Sequence, residues 1–168
     1  MSMIYFSWVP PELDPLVERL AATCESFLEG ECVLEKQRDG FVQDKIKKSL
    51  ARCDSLFVVV GEESPSAERP GLHVDDRPLD ERFRFEIVTA MNFGLLVISL
   101  LIDDARLPEK KNAPGVWKRL LECKSYRLRT ASWSEELYPI LEDIEEELDF
   151  KKEVKKNYRS PFTRIIRI

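Results

Sequence analysis

The sequence predicts a doubly wound α/β domain, with five parallel strands in the order 2-1-3-4-5, and two observations carry that expectation. Strand and helix signals alternate from the first residues, and the runs at 55–60 and 95–102 are almost unbroken aliphatic stretches. Parallel strands covered by helices on both faces read this way.

Met3-Ile4-Tyr5-Phe6-Ser7 forms the first strand. Asp14-Pro15 supplies an N-cap and a first-turn proline, Leu16, Leu20, Cys24 and Phe27 follow at helical spacing, and Gly30 ends that helix. Cys32-Val33-Leu34 is a short second strand. Val42, Ile46 and Leu50, four apart, mark a second helix reaching about Arg52, with Lys45, Lys47 and Lys48 toward water. The third strand follows at 55–60. Residues 62–80 are a 19-residue polar loop, longer than a compact domain leaves irregular unless the loop binds or covers something. Asp80 caps the third helix, with Phe83, Ile87, Ala90 and Met91 on its apolar face and Gly94 at its end. After the strand at 95–102 come a short helix over 116–122, a fifth strand at 125–129 and a last helix over 134–148. Pro139 fits that helix only within its first turn.

The domain therefore spans residues 1–150, and 151–168 form a separate basic tail with seven Lys or Arg against one Glu. Net charge is -5 overall, so the body carries -11, which weighs against a general nucleic-acid binder. The tail, ending in an alternating apolar and basic run, is a candidate strand addition or docking segment for a protein partner. The four cysteines form no C-x-x-C pair and read as small buried hydrophobes, and the first residues lack a secretory pattern. The expected location is cytoplasmic. The apolar run at 93–102 is about half the roughly 20 residues that a membrane span needs, so no membrane association is expected.

Sheets of this order bind ligands outside the carboxyl ends of their strands, at the switch point beside strand one. That rule selects Ser7, Trp8, Glu35, the loop after Gly61 and the helix bearing Glu86. Glu86 is the leading candidate because it stands in Arg82-Phe83-Arg84-Phe85-Glu86-Ile87, a carboxylate among aromatic and aliphatic side chains. Its alternative is a surface carboxylate favoured by a helix N-terminus. There is no P-loop, dinucleotide fingerprint or zincin motif, and the sole histidine, His73, sits in the long loop. Asp103-Asp104 reads as an acidic turn, and no metal site is expected.

Taken in order, several segments resemble a Toll/interleukin receptor (TIR) domain of the bacterial type, which has a flavodoxin-like fold. Ile4-Tyr5-Phe6-Ser7-Trp8 is similar to its first box, and Cys32-Val33-Leu34-Glu35 through Gly40 to its second strand and BB loop. Ala51-Arg52-Cys53-Asp54 before an apolar strand, Arg84-Phe85-Glu86-Ile87, Ala105-Arg106-Leu107-Pro108 and Trp133-Ser134-Glu135-Glu136-Leu137 follow in the family's order. The resemblance implies that Glu86 is the catalytic glutamate of an NAD glycohydrolase, making linear, cyclic or variant ADP-ribose in bacterial defence or signalling. It further implies that Ser7, Trp8 and Phe83 bind NAD, that Glu35 and Gly40 shape the BB loop, and that TIR–TIR contacts give a homo-oligomer. Two positions depart from the family: Val9-Pro10-Pro11 follows Trp8 where an Arg is common, and Arg82 replaces an aromatic ring four residues before the glutamate. Arg82 thereby becomes the candidate phosphate partner.

One carboxylate suffices for this chemistry. O-glycosidases need a second because an alkoxide leaves badly, whereas the nicotinamide of NAD leaves as a neutral base. What remains is positive charge on the ribose, which a fixed carboxylate stabilises. NAD is thus a substrate, and no cofactor is expected. Two other readings stay open: a non-catalytic TIR scaffold working through homotypic contacts, and a nucleoside deoxyribosyltransferase-like enzyme that also uses one glutamate.

Overall fold

The computed structural model describes residues 1–9, 11–35, 42–62, 78–109, 111 and 115–165, and of these the side chains of residues 9, 78–80 and 157–165 are not characterised. Five strands, β1 (Met3–Val9), β2 (Glu31–Leu34), β3 (Ser55–Val60), β4 (Leu96–Ile102) and β5 (Lys124–Leu128), alternate with helices α1 (Asp14–Leu28), α2 (Gln43–Ala51), α3 (Pro78–Asn92), α4 (Gly115–Leu120) and α5 (Trp133–Ile165). All strand pairs are parallel and the order is β2-β1-β3-β4-β5, the doubly wound flavodoxin-like arrangement that the alternation predicts.

The two-residue strand period divides the core. Ile4, Phe6 and Trp8 of β1 join Val17, Leu20 and Cys24 of α1 and Leu137, Leu141 and Ile144 of α5 on one face. Tyr5 joins Ile46 and Leu50 of α2, Phe83, Ile87 and Ala90 of α3, and Trp117 of α4 on the other. β3 is buried along all six residues, which is why its sequence shows no alternation. Cys24 and Cys53 are buried and all four thiols are free.

Several local expectations change. Asp14 makes no capping hydrogen bond; Leu13 holds the N-cap position, and the Asp14 carboxylate instead accepts the Trp8 indole N–H at 2.7 Å. The left-handed residue closing α1 is Glu29, at φ 48°, not Gly30. Gly30 is needed for a different reason: a Cβ there would lie 2.4 Å from the Ser2 carbonyl oxygen. α3 opens at Pro78 rather than after an Asp80 cap, because proline at a first helical position gives up no needed amide hydrogen bond. Glu86 accordingly lies in the third turn of α3, not near its N-terminus.

α5 begins at Trp133, so Pro139 is in its interior and not in its first turn. Pro139 is exposed, so water can satisfy the carbonyl of Glu135 that lacks an amide partner. The helix also continues to Ile165, through residues that the sequence assigns to a tail after 150. Residues 151–165 extend a helix and do not add a strand to the sheet. No helix among the described residues is long and apolar enough to cross a membrane.

Candidate active site around Glu86

Successive strand residues face opposite sides, so Tyr5 and Ser7 both point from β1 toward α3. Ile87 and Ala90 anchor α3 on the same face of the sheet, and this turns Glu86 inward beneath the helix. Glu86 is 4% exposed. Burying an ion without partners is prohibitive, and the surrounding side chains supply them. Tyr5 Oη donates to Glu86 Oε1 at 2.9 Å, Arg82 Nε donates to the same oxygen at 2.9 Å, and Ser7 Oγ donates to Oε2. Arg82 precedes Glu86 by one helical turn, the spacing at which helix side chains meet.

A second carboxylate adjoins this group. Glu35 follows β2 directly, and Ser49 Oγ of α2 donates to its Oε1 at 2.6 Å. Arg82 Nη2 donates to the Glu35 main-chain oxygen at 3.0 Å and lies 3.7 Å from Oε2. The Tyr5 hydroxyl, with one proton to give, stands 3.4 Å from that Oε2. One guanidinium therefore bridges two carboxylates drawn from different elements, toward the carboxyl ends of β1 and β2. The strand order reverses direction beside β1, so the cluster adjoins the switch point.

Burial drives the electrostatics. It raises the Glu86 carboxyl above the ordinary carboxylate range, against the lowering influence of the bonds from Ser7, Arg82 and Tyr5. Burial, then the charges of Glu86 and Glu35, push the Tyr5 phenol upward, so it remains a donor. For Arg82 the burial penalty is outweighed by its contacts with Glu86 and Tyr5, and its pKa is raised. The arrangement can hold a carboxylate at fixed orientation in a region poor in water, with a cation able to shift between anions.

The sequence candidates divide accordingly. Ser7, Glu35, Arg82 and Glu86 come together. Trp8 does not: it is 5% exposed in the core of the opposite face, with its indole N–H on Asp14. Phe83 packs against Trp117 with ring centroids 5.4 Å apart, in the seam between α3 and α4. Gly40 and His73 lie outside the described residues. The expectation of a surface carboxylate at a helix N-terminus is overturned, since Glu86 is buried in mid-helix. Arg82 is engaged with carboxylates rather than standing as a ready phosphate ligand. Tyr5 and Ser49 escaped the sequence reading. Tyr5 had a signal, lying two residues before Ser7 on the same strand face, whereas an isolated serine near the apolar stripe of α2 gives none. Asp103, in a left-handed turn at φ 53°, uses its carboxylate to accept from the Thr130 amide and hydroxyl.

No protein-family model matches the chain, and no curated protein matches it. Among solved structures, the chain is similar to a Clostridium botulinum CMP N-glycosidase, at 14% identity over 82% of this chain and 96% of that one, with a TM-score of 0.43. It is also similar to an NADH:FMN oxidoreductase in its apo form, at 9% identity over 90% of each chain, with a TM-score of 0.52. The second likeness supports the fold alone. The first is too loose in shape to carry an argument.

Proposed function

We propose that the chain is a TIR-type NAD glycohydrolase with Glu86 as its catalytic carboxylate. The observation that carries this reading is the placement of one buried carboxylate, oriented by Ser7, Tyr5 and Arg82, beside the switch point of a doubly wound sheet. In the proposed reaction the bond between ribose C1′ and the pyridinium nitrogen breaks, and its electron pair neutralises the departing nicotinamide. Glu86 stabilises the positive charge left on the ribose. Water attacks C1′ and releases a proton to solvent; a hydroxyl of the same ADP-ribose in its place gives a cyclic product. Arg82 exchanges Glu86 for the pyrophosphate as substrate enters, so the carboxylate faces the ribose without its ion-pair partner.

Incubating concentrated protein with NAD tests this. Wild type should release nicotinamide, and Glu86→Gln should lower the rate by about a hundred- to a thousand-fold, the usual effect of removing one electrostatic stabiliser. Release from deoxynucleosides but not from NAD would move the activity to a deoxyribosyltransferase-like reaction.

A second reading is favoured by one specific observation. Both Glu86 oxygens already accept protein donors and the side chain is almost wholly covered, as in a structural polar keystone. In that case the chain is a non-catalytic scaffold, and neither protein releases nicotinamide at any concentration.

A further inference from the structure

Arg82 is fastened on two sides by different nitrogens. Nε donates to Glu86 Oε1 at 2.9 Å, and Nη2 donates to the Glu35 main-chain oxygen at 3.0 Å, lying 3.7 Å from that residue's Oε2. A guanidinium carries five N–H donors in one rigid plane, so it can release one side while the other holds. The two sides differ in stiffness. Glu35 directly follows β2, which is paired with β1 as far as Phe6 and Leu34, so its main-chain oxygen has little freedom to move. The Glu86 side joins two side chains of one helix, each with rotamers to explore.

The Glu35 carboxylate is oriented as well. Its Oε1 accepts from Ser49 Oγ of α2 at 2.6 Å, which leaves Oε2 toward Arg82 and the Tyr5 hydroxyl, 3.7 and 3.4 Å away. That hydroxyl also donates to Glu86 Oε1 at 2.9 Å. The guanidinium and the phenol therefore stand between the same two acids. Whatever share of the cation Glu35 takes, Glu86 loses. Among the described residues, the charged and titratable groups facing Glu86 are Tyr5 from β1, Arg82 from α3 and Glu35 from the end of β2. β3 turns Leu56, Val58 and Val60 to the same face, and Lys47 of α2 lies over the Phe85 ring, 5.9 Å from its centroid.

We propose that Glu35 is a positioning residue of the Glu86 site, the fixed seat that keeps Arg82 in place when an incoming pyrophosphate draws it off Glu86. The proposal rests on the reading of Glu86 as the working carboxylate. The guanidinium turns about its bond to the Glu35 main chain, and Nε gives up Glu86 for a phosphate oxygen. The Glu35 carboxylate, held by Ser49, keeps the cation from springing back. Glu86 then meets the ribose without its ion pair. If the Glu35 charge were absent, Arg82 would belong to Glu86 alone, leaving that carboxylate more fully neutralised and less able to stabilise a cation.

Glu35→Gln removes the charge while keeping the main-chain oxygen and an acceptor for Ser49. NMR of isotope-labelled carboxyl carbons follows Glu86 against pH in wild type, Glu35→Gln and Glu35→Asp, with the signal identified by its loss in Glu86→Gln. Glu35→Gln should lower the Glu86 midpoint by about one pH unit, the smaller end of what one neighbouring charge does. Glu35→Asp, which restores the charge, should return it toward wild type. In nicotinamide release from NAD, Glu35→Gln should lower kcat about tenfold, the same free energy as one pH unit. The acid limb of its kcat profile should move down with the midpoint, and Glu35→Asp should recover most of both. A lower rate with an unmoved midpoint, or equal midpoint shifts in the Gln and Asp variants, would make Glu35 a part of the scaffold only and overturn the proposal. The expected midpoint shift in a chain whose wild type releases no nicotinamide would overturn the NAD reading instead and leave the Arg82 seat standing.

Discussion

Glu86 and Arg82 hold each other in place at the scale of single side chains. Each is buried, and each charge offsets part of the cost of burying the other. Breaking such a pair from one side is costly, about 3–5 kcal/mol, because the remaining ion has no substitute for water. Arg82→Met removes the cation and also the contacts to Glu35. At pH 7 it should destabilise the fold by about that amount. The cost must shrink in acid. Without Arg82 the Glu86 carboxyl rises further above its ordinary value near 4.5, and below that value it is protonated in folded and unfolded chains alike. Urea unfolding of wild type and variant at pH 7 and pH 4 checks this. A gap that is equally wide at both values would show that lost packing, not an unpaired carboxylate, is responsible.

At the scale of elements, two backbone segments pass close together where α1 hands over to β2. Glu29 takes the left-handed conformation, and Gly30 passes so near Ser2 that the Glu31 amide donates to the Ser2 carbonyl at 2.9 Å. Gly30→Ala places a methyl group against that backbone oxygen. It should cost about 1–3 kcal/mol, as overpacking does, read as a lower thermal or urea midpoint; an unchanged midpoint would mean that the β1–β2 junction yields freely. The junction also shows what a sequence discloses. A glycine after an apolar helical stripe signals an ending, but whether it supplies a left-handed turn or merely the absence of a Cβ depends on the neighbouring strand. β3 and β4 were legible because a parallel strand covered on both faces is almost wholly apolar, with the small buried Ser55 and Ser99 as the exceptions here. The reach of α5 was not, since Pro139, Pro161 and a change of charge sign all argue for a break. Helix geometry tolerates an exposed proline whose freed carbonyl meets water. In the site, Glu86 was legible as a carboxylate in apolar company. Trp8 was misplaced because position along a strand does not by itself say which face carries the ligand.

For the whole molecule, Glu86 sets a pH dependence whose direction bears on why the residue is there. Burial, set against the bonds from Ser7, Arg82 and Tyr5, leaves the folded carboxyl above its ordinary value near 4.5. Between that value and the folded one, the native chain binds more protons than the unfolded chain, so the contribution of Glu86 to stability falls as pH rises through the window. It is fully present only below about pH 4.5. Glutamine resembles the protonated form in shape and does not titrate. Glu86→Gln should therefore gain on wild type as pH climbs from 4 toward 8, measured as the difference in urea midpoints, and the gain should level off once the wild-type carboxyl is ionised. The opposite slope, with wild type gaining on the variant, would mean that the bond to Arg82 more than offsets burial and that Glu86 is a structural keystone. A chain that retains a carboxylate at a cost in stability retains it for something other than folding. Combined with loss of nicotinamide release in the same variant, the expected slope would make Glu86 a group kept for its chemistry.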